Sequence, residues 1–526
     1  MNVLISDSLD PRCVGILEQE GHTVRNAPGL TGEELLRVIP EFEVLLVRSA
    51  TKVSEHVIRT GTKLRIIGRA GTGVDNIDLE AATRRGILVM NTPGGNSIST
   101  AEHTVAMMLA LARNIPQAHA SLLAGRWERK TFTGTEVLEK TAGVVGLGRI
   151  GREVATRCLG LGMNVIAYDP VLAPDAAAKI GIELVTLEEL FRRSDFITVH
   201  TPLNDDTRSL LNEGTIALCK RGVRIINCAR GGIVDESALL RALESGQVSG
   251  AALDVFASEP PRDNPLLSHP RVIATPHLGA STEEAQEKVA LQIAHAVADA
   301  LAGRSFTGVV NGAAMYLTLR VEVRPYLALA ERMGSLAAQL APGQLQGITL
   351  GASGEIPRSS VELLKAGLLK GVLSRTVHDQ VNFISAPALA RELGVLVNEA
   401  RDESVGAYVN LLRLRYELRT GATLELEGTV IGTSSPRLVG IDGFRLEVNP
   451  EGYLLLYRNV DRPGMLARVG AILADFGVNI AGLSLGRARA GGEALTVMSL
   501  DSALPEEGLQ RLKVLEGVSG VRMALA

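Results

Sequence analysis

Apolar and polar positions divide the chain into four stretches with different rhythms. Over the first ninety residues, short apolar runs at 3–6, 44–47, 64–68 and 87–90 predict strands, and helical patterns at 13–20, 33–39 and 54–60 lie between them. Such alternation argues for a parallel sheet covered by helices. A long helical pattern rich in Ala, Leu and Met follows at 100–123, after the turn-forming NTPGGNS that suits a hinge. The alternation then resumes. Strands are expected at 142–145, 164–168, 196–200, 223–227 and 251–254, with helices up to 161, at 235–245 and at 286–303. From about 318 the pattern becomes mixed, with helices at 325–340 and 360–373 and strands at 408–418, 423–428 and 437–448. The last stretch reads as strand 454–457, helix 466–476, strands 479–486 and 494–500, helix 506–515 and strand 521–524. That is βαββαβ, a small sheet with helices on one face.

Composition narrows the class of protein. Length of 526 residues suggests about three or four domains, and 46% apolar content with a net charge of −4 suits several ordinary cores. No basic excess points to nucleic acid. Cys13, Cys158, Cys219 and Cys228 lie far apart without metal-ligand spacing, which suits a reducing compartment. The opening MNVLISDSLD runs into a strand with no export-signal pattern. No apolar run reaches the ~18–20 residues needed to cross a bilayer. The expectation is a cytoplasmic protein without metal, nucleic-acid or membrane partners.

The second stretch carries the clearest chemistry. Gly146, Gly148 and Gly151 fill G-x-G-x-x-G between a strand and a helix, and Asp169 ends the next strand about twenty residues on. Such glycines allow a tight turn, close approach of the backbone to a pyrophosphate, and tight helix–strand packing. The phosphates then meet unpaired N–H groups at a helix N-terminus. Asp169 suits the ribose hydroxyls of NAD. The 2′-phosphate of NADP would bring like charge beside it, a repulsion of up to about 4 kcal/mol at an effective dielectric of ~20. Pro170, and no Arg, follows.

Other ionisable residues stand at predicted strand ends. Arg48 (VRSAT) and Arg69 (GRAGTGVDNID) are either anion clamps, for which the guanidinium fork is well shaped, or solvated surface residues. Arg230 (NCARGG), Glu259 (SEP) and His277 (TPHLGAST) sit on three different loops, and each alone has an ordinary structural reading as a turn or surface residue. Their collection at strand ends beside a dinucleotide fold is what points to function. Trp127, the only tryptophan, is either an interface anchor or the cap of a local cluster.

With GLGRIG…YDP, NCARGG, SEP and TPHLGAST in order, the chain to about Asn311 resembles the D-2-hydroxyacid dehydrogenases. VRSAT, GRAGTGVDNID, NTPGGNS, GRWERK, GTEVLEKT and HLGASTEEAQ are similar to the phosphoglycerate-oxidising branch of that family. The tail resembles an ACT domain, a small amino-acid-binding regulatory module. The resemblance implies two doubly wound parallel-sheet domains, a substrate-binding one (1–95 and 277–311) and an NAD-binding one (96–276). An α+β intervening domain (312–450) and an ACT domain (451–526) follow. It implies NAD-linked oxidation of 3-phospho-D-glycerate at the start of serine synthesis. His277 would be the general base, Glu259 its orienting partner, and Arg230 the carboxylate anchor, with Arg48 and Arg69 as further anion contacts. Thr72, Gly146, Gly148, Arg149, Ile150, Gly151, Asp169, Thr201, Cys228, Ala229, Arg230, Asp254, His277, Gly279 and Ala280 would line the cofactor. Asn459, Asp461 and Asn479 match positions that contact serine in some relatives, and the family is usually tetrameric.

Two alternatives use the same fold. A related 2-hydroxy acid, such as glycerate/hydroxypyruvate or 2-hydroxyglutarate, would need the same catalytic triplet. Arg48, Arg69 and the regulatory tail argue against it, since a phosphate needs extra positive charge. An NAD-sensing corepressor would need a partner-binding tail of a kind not seen in the chain.

Overall fold

The computed structural model describes residues 1–375, 377, 381–400 and 407–526. The first sheet holds β1 (Asn2–Ile5), β2 (Thr23–Asn26), β3 (Val44–Val47), β4 (Ile66–Arg69) and β5 (Leu88–Met90) in the order β2-β1-β3-β4-β5. The second holds β6 (Thr141–Val145), β7 (Asn164–Tyr168), β8 (Glu183–Leu184), β9 (Phe196–Val199), β10 (Val223–Asn227), β11 (Val248–Leu253) and β12 (Val272–Ala274). Its order is β12-β11-β10-β9-β6-β7-β8. Both sheets are parallel throughout. These are the two doubly wound orders whose ligands collect outside the carboxyl ends of the strands. β3 and β9, VLLV and FITV, are buried along their whole length because helices cover both faces.

Two helices join the sheets. Ser97–Arg113 leads from the first to the second, and Glu283–Leu301 returns to lay Val289, Ile293 and Val297 against Val3, Ile5 and Leu46. Asn311 then closes the first sheet: its Oδ1 accepts from the Val89 N–H at 2.8 Å, and its Nδ2 donates to the Ile87 carbonyl at 2.8 Å.

A third sheet contains β13 (Leu345–Ser353), β14 (Leu396–Ala400), β15 (Leu411–Leu418), β16 (Thr423–Ile431), β17 (Ser435–Ile441) and β18 (Phe444–Val448). It is antiparallel except for the β13–β14 pair. The fourth runs β20-β21-β19-β22 from β19 (Tyr453–Val460), β20 (Ile480–Arg487), β21 (Glu493–Leu500) and β22 (Val518–Leu525). Helices Met465–Asp475 and Glu506–Lys513 cover one face of this sheet. On the other, Leu454, Leu456, Leu495, Val497 and Ala524 share a core with helix Arg324–Leu340 of the preceding stretch. Gln339 on that helix clamps β22, accepting from the Leu525 N–H and donating to its carbonyl, both at 2.9 Å. Contiguous YLLLY in β19 therefore has partners on both faces.

Several expectations need correction. The pattern at 100–123 is two helices, Ser97–Arg113 and Ile115–Leu123, because Asn114 takes a left-handed φ of 53° and Pro116 opens the second. Asn tolerates that conformation better than other side chains. The pattern at 437–448 is a hairpin, β17 and β18, turning at Asp442 (φ 46°) and Gly443 (φ 79°). β2 and β14 gave no strand pattern because they are exposed edge strands, TVRN and LVNEA, with no buried alternation. β8, β12 and β13 and helix Leu79–Arg84 were also unforeseen. Among the described residues no helix is long and apolar enough to cross a membrane.

The shared core has a consequence for truncation. A chain ending at Pro450 would lose Leu454, Leu456, Leu495 and Val497 from the core around helix Arg324–Leu340 and expose that face. Calorimetry and dye binding should show the 312–450 region melting earlier and binding an apolar dye. Unchanged melting of that region would mean the two sheets are independent.

Candidate active site

Every residue of the predicted catalytic and cofactor set in the second sheet sits at or just beyond a strand's carboxyl end. Gly146 follows β6 with φ 90°, and a Cβ there would stand 2.7 Å from the His200 carbonyl oxygen. Gly148 caps helix Arg149–Gly160, and Gly151 is packed so closely that a Cβ would run into the Gly146 carbonyl. Ile150 turns its side chain to the core, and Cys228 is buried, its thiol pushed up to about 12 by burial. Arg149 reaches across to Gly94 in the hinge segment. Thr72 bonds Asn96 of that segment at 2.7 Å.

Asp169 follows β7 and is already well supplied with donors. Its Oδ2 accepts from the Leu147 N–H at 2.9 Å, and its Oδ1 from Val171 and Leu172 at 2.9 and 3.0 Å. Burial would push the carboxyl up, but these bonds and nearby Arg152 hold it below its ordinary value. Three of about four acceptor positions are used, leaving room for a sugar hydroxyl. The site fits a dinucleotide on a further count. Thr201 keeps a buried Oγ1 without a partner beside the glycine turn, while the space over Gly148 is open. Neighbouring His200 is half-buried, its pKa pushed down to about 3 by desolvation, so it stays neutral.

His277 and Glu259 meet across eighteen residues of chain, Nδ1 to Oε2 at 2.8 Å. The bond to Glu259 raises His277 above its ordinary 6.5 against the opposing effect of burial. For Glu259, burial pushes up, but the bond to His277 and its charge outweigh this, and the carboxyl lies below its ordinary value. An ionised carboxylate only accepts, so the Nδ1 proton belongs to His277 and its Nε2 lone pair is free for a substrate hydroxyl.

Asp254, a predicted cofactor contact, is 1% exposed and turned to the chain itself. It accepts from Thr275 Oγ1 at 2.6 Å, the Leu278 N–H at 2.7 Å and the Gly279 N–H at 2.8 Å.

The first sheet supplies positive charge. Arg69, at the end of β4, is pushed down to about 10 by burial and by neighbouring Arg230 and Arg48, although Asp75 opposes this. Arg230 donates Nε–H to Asp75 Oδ2 at 2.9 Å, and Asp75 and Asp7 are two acids set against the three guanidinium groups. Sequence reasoning missed what holds them. Asn76 donates to the Arg48 and Thr51 carbonyls at 2.7 Å and accepts from Arg69 Nε at 3.2 Å. Buried Asp7 accepts from the Arg48 N–H at 2.6 Å. The signal was present in V-D-N-I-D, directly behind Arg69.

The tail residues are spread out. Asp461, just past β19, accepts from Arg487 at 2.8 Å, and neighbouring Asn459 is buried with its Oδ1 accepting from Thr496. Asn479 precedes β20 and donates to Asp501 at 2.7 Å. Antiparallel register places residues 480 and 500 beside 453, at the opposite end of β19 from 460. Seven strand steps are ~23 Å, so one chain does not bring the two groups together.

Comparison with known proteins agrees with this layout. Residues 105–279 match the D-isomer specific 2-hydroxyacid dehydrogenase, NAD binding domain; 322–442 the D-3-phosphoglycerate dehydrogenase intervening domain; and 453–517 the ACT domain. D-3-phosphoglycerate dehydrogenase of Methanocaldococcus jannaschii is 43% identical over 522 residues, 99% of each chain. That of Homo sapiens is 46% identical over 518 residues, 96% of this chain and 95% of the other. Among solved structures, D-lactate dehydrogenase from Aquifex aeolicus, complexed with NAD and lactic acid, is 30% identical with a TM-score of 0.52. It covers 58% of this chain and 96% of its own.

The Glu259 bond makes a test of its own. A base must be neutral to take a proton, so oxidation should rise with pH through a value above 6.5. Glu259→Gln removes the acceptor charge and should move the acid limb of kcat/KM to lower pH while lowering kcat. An unmoved limb would separate Glu259 from the base.

Proposed function

The chain belongs to the D-3-phosphoglycerate dehydrogenase family, and from that premise we propose that it oxidises 3-phospho-D-glycerate to 3-phosphohydroxypyruvate with NAD, the entry step of serine synthesis. The observation that carries this reading is the His277–Glu259 pair standing beside Arg48, Arg69 and Arg230, three arginines set against two acids, Asp75 and Asp7. A substrate with a carboxylate and a phosphate suits that imbalance of charge.

Bound NAD supplies the hydride acceptor. His277 Nε2 takes the hydroxyl proton, and Glu259 stabilises the imidazolium that results. Arg230 anchors the carboxylate and polarises the carbonyl as it forms, giving up part of its bond to Asp75. Arg48 and Arg69 hold the phosphate. The glycine turn, Arg149, Ile150, Thr201, Cys228 and Ala229 line the cofactor, the buried side chains through their backbone, and Thr72, Gly279 and Ala280 stand nearby. Asp169 takes the ribose hydroxyls. On this reading 1–95 with 277–311 binds substrate, 96–276 binds NAD, 312–450 is the intervening domain and 451–526 the regulatory one. The working form is a cytoplasmic tetramer, consistent with four buried, unpaired cysteines.

L-Serine is the proposed effector of the tail. Since Asp461 and Asn479 lie at opposite ends of one sheet, a serine touching both must bind between two copies. β20 is an outer strand carrying Leu483 and Leu485 at 45% and 41% exposure, and it suits antiparallel pairing with its counterpart. Such pairing brings Asn479 of one copy towards the Arg487–Asp461 pair of the other, with Asn459 behind it.

NADH formation checks the substrate. 3-Phospho-D-glycerate should exceed D-glycerate and 2-hydroxyglutarate in kcat/KM, and Arg69→Ala should erase that preference. His277→Gln should lower kcat on the order of 10²–10⁴-fold with NAD affinity retained. Equal rates with D-glycerate would transfer the reading to another hydroxy acid. Millimolar serine should inhibit with a coupling of ~1–3 kcal/mol and fail to inhibit Asn479→Ala. An unchanged rate with serine would leave the tail purely structural.

A further inference from the structure

His277 sits at φ 55°, in the left-handed region that a non-glycine residue enters only under constraint. The constraint is visible. Its own N–H donates to the Asp254 carbonyl at 2.9 Å, and the Asp254 side chain gathers Thr275, Leu278 and Gly279 on either side of it. A carboxylate 1% exposed needs its lone pairs supplied in full, and one more donor reaches it. His103, on helix Ser97–Arg113, places Nε2 at 3.2 Å from Asp254 Oδ1 and 3.1 Å from Thr275 Oγ1. Thr275 spends its hydroxyl proton on Asp254, so the proton on His103 Nε2 serves both oxygens.

His103 comes from the far side of the turn. It lies in a groove of about 570 Å³ between its own helix, helix Ile115–Leu123 and β12, and no other described residue lining that groove is ionisable. The charged groups acting on His277 are Glu259, Asp254 and Arg230. Asp254 is thus the point where the groove and the active cleft meet. We propose that His103 is a positioning residue of the dehydrogenation, holding the Asp254–Thr275 strap that presents His277 and moderating the charge that Asp254 directs at it. This rests on His277 being the base, which His277→Gln tests separately.

His103→Leu removes the donor and should lower kcat by up to ~10- to 150-fold, the range set by one hydrogen bond to a charged group. KM for NAD should hardly change. With Asp254 less compensated, the acid limb of kcat/KM should move to higher pH. His103→Gln, which keeps a side-chain N–H, should restore most of the rate and the position of the limb. If His103→Leu does not fold, Thr275→Val offers the same loss from the other donor and should move the limb in the same direction. A purely structural residue would lower the melting temperature and leave the limb in place. The inference fails if the limb stays put in His103→Leu and Thr275→Val, or if His103→Gln loses as much rate as His103→Leu.

Discussion

A histidine held at a left-handed backbone angle is the constraint on which the rest of the site depends. Leaving the ordinary φ range costs roughly 1–2 kcal/mol for such a residue, so something nearby must over-determine the turn. Here it is one buried carboxylate, Asp254, at the carboxyl end of β11. Fixing the turn fixes the imidazole, and fixing the imidazole lets Glu259, five residues past Asp254, meet Nδ1. β11 and β12 are neighbours in a parallel sheet, so their ends lie side by side and the segments that follow them bring the two partners together. The His277–Glu259 pair is therefore a property of adjacent strand ends as much as of two side chains.

Charge in the cleft follows a similar logic of shared support. Like-charged guanidinium groups repel, and burial of Arg69 adds to the cost. Asn76 and Asp7 hold the loops that carry Arg48 and Arg69, and Asp75 bridges to Arg230 from the other sheet. Such an arrangement is stabilised when an anion enters. It also ties the two sheets together through the Arg230–Asp75 bond.

The shared core between the third and fourth sheets joins the ACT-like end of the chain to its middle. Leu454 and Leu456 pack with helix Arg324–Leu340, while Asn382 donates to the Gly86 carbonyl and Arg84 pairs with Glu392 at the first sheet. A continuous packed route thus runs from β19 to the loop before β5. Movement of the tail would reach the first sheet through packing rather than through a flexible tether.

The sequence alone determined much of this protein. Parallel sheets followed from alternating apolar runs, because a strand buried on both faces must be apolar along its length, as β3 and β9 are. The dinucleotide site followed from Gly146, Gly151 and Asp169, whose spacing is set by local backbone geometry. His277, Glu259 and Arg230 were legible as candidates through their loops. Tertiary structure decided what spacing along a chain does not encode. Exposed edge strands such as β2 and β14 have no buried alternation to read. Asp254 and His103 join residues 151 positions apart, and Asn76 and Asp7 act only because neighbouring strand ends converge. The opposite placement of Asp461 and Asn479 depended on antiparallel register, since the direction of pairing, and not distance along the chain, decides which strand ends meet.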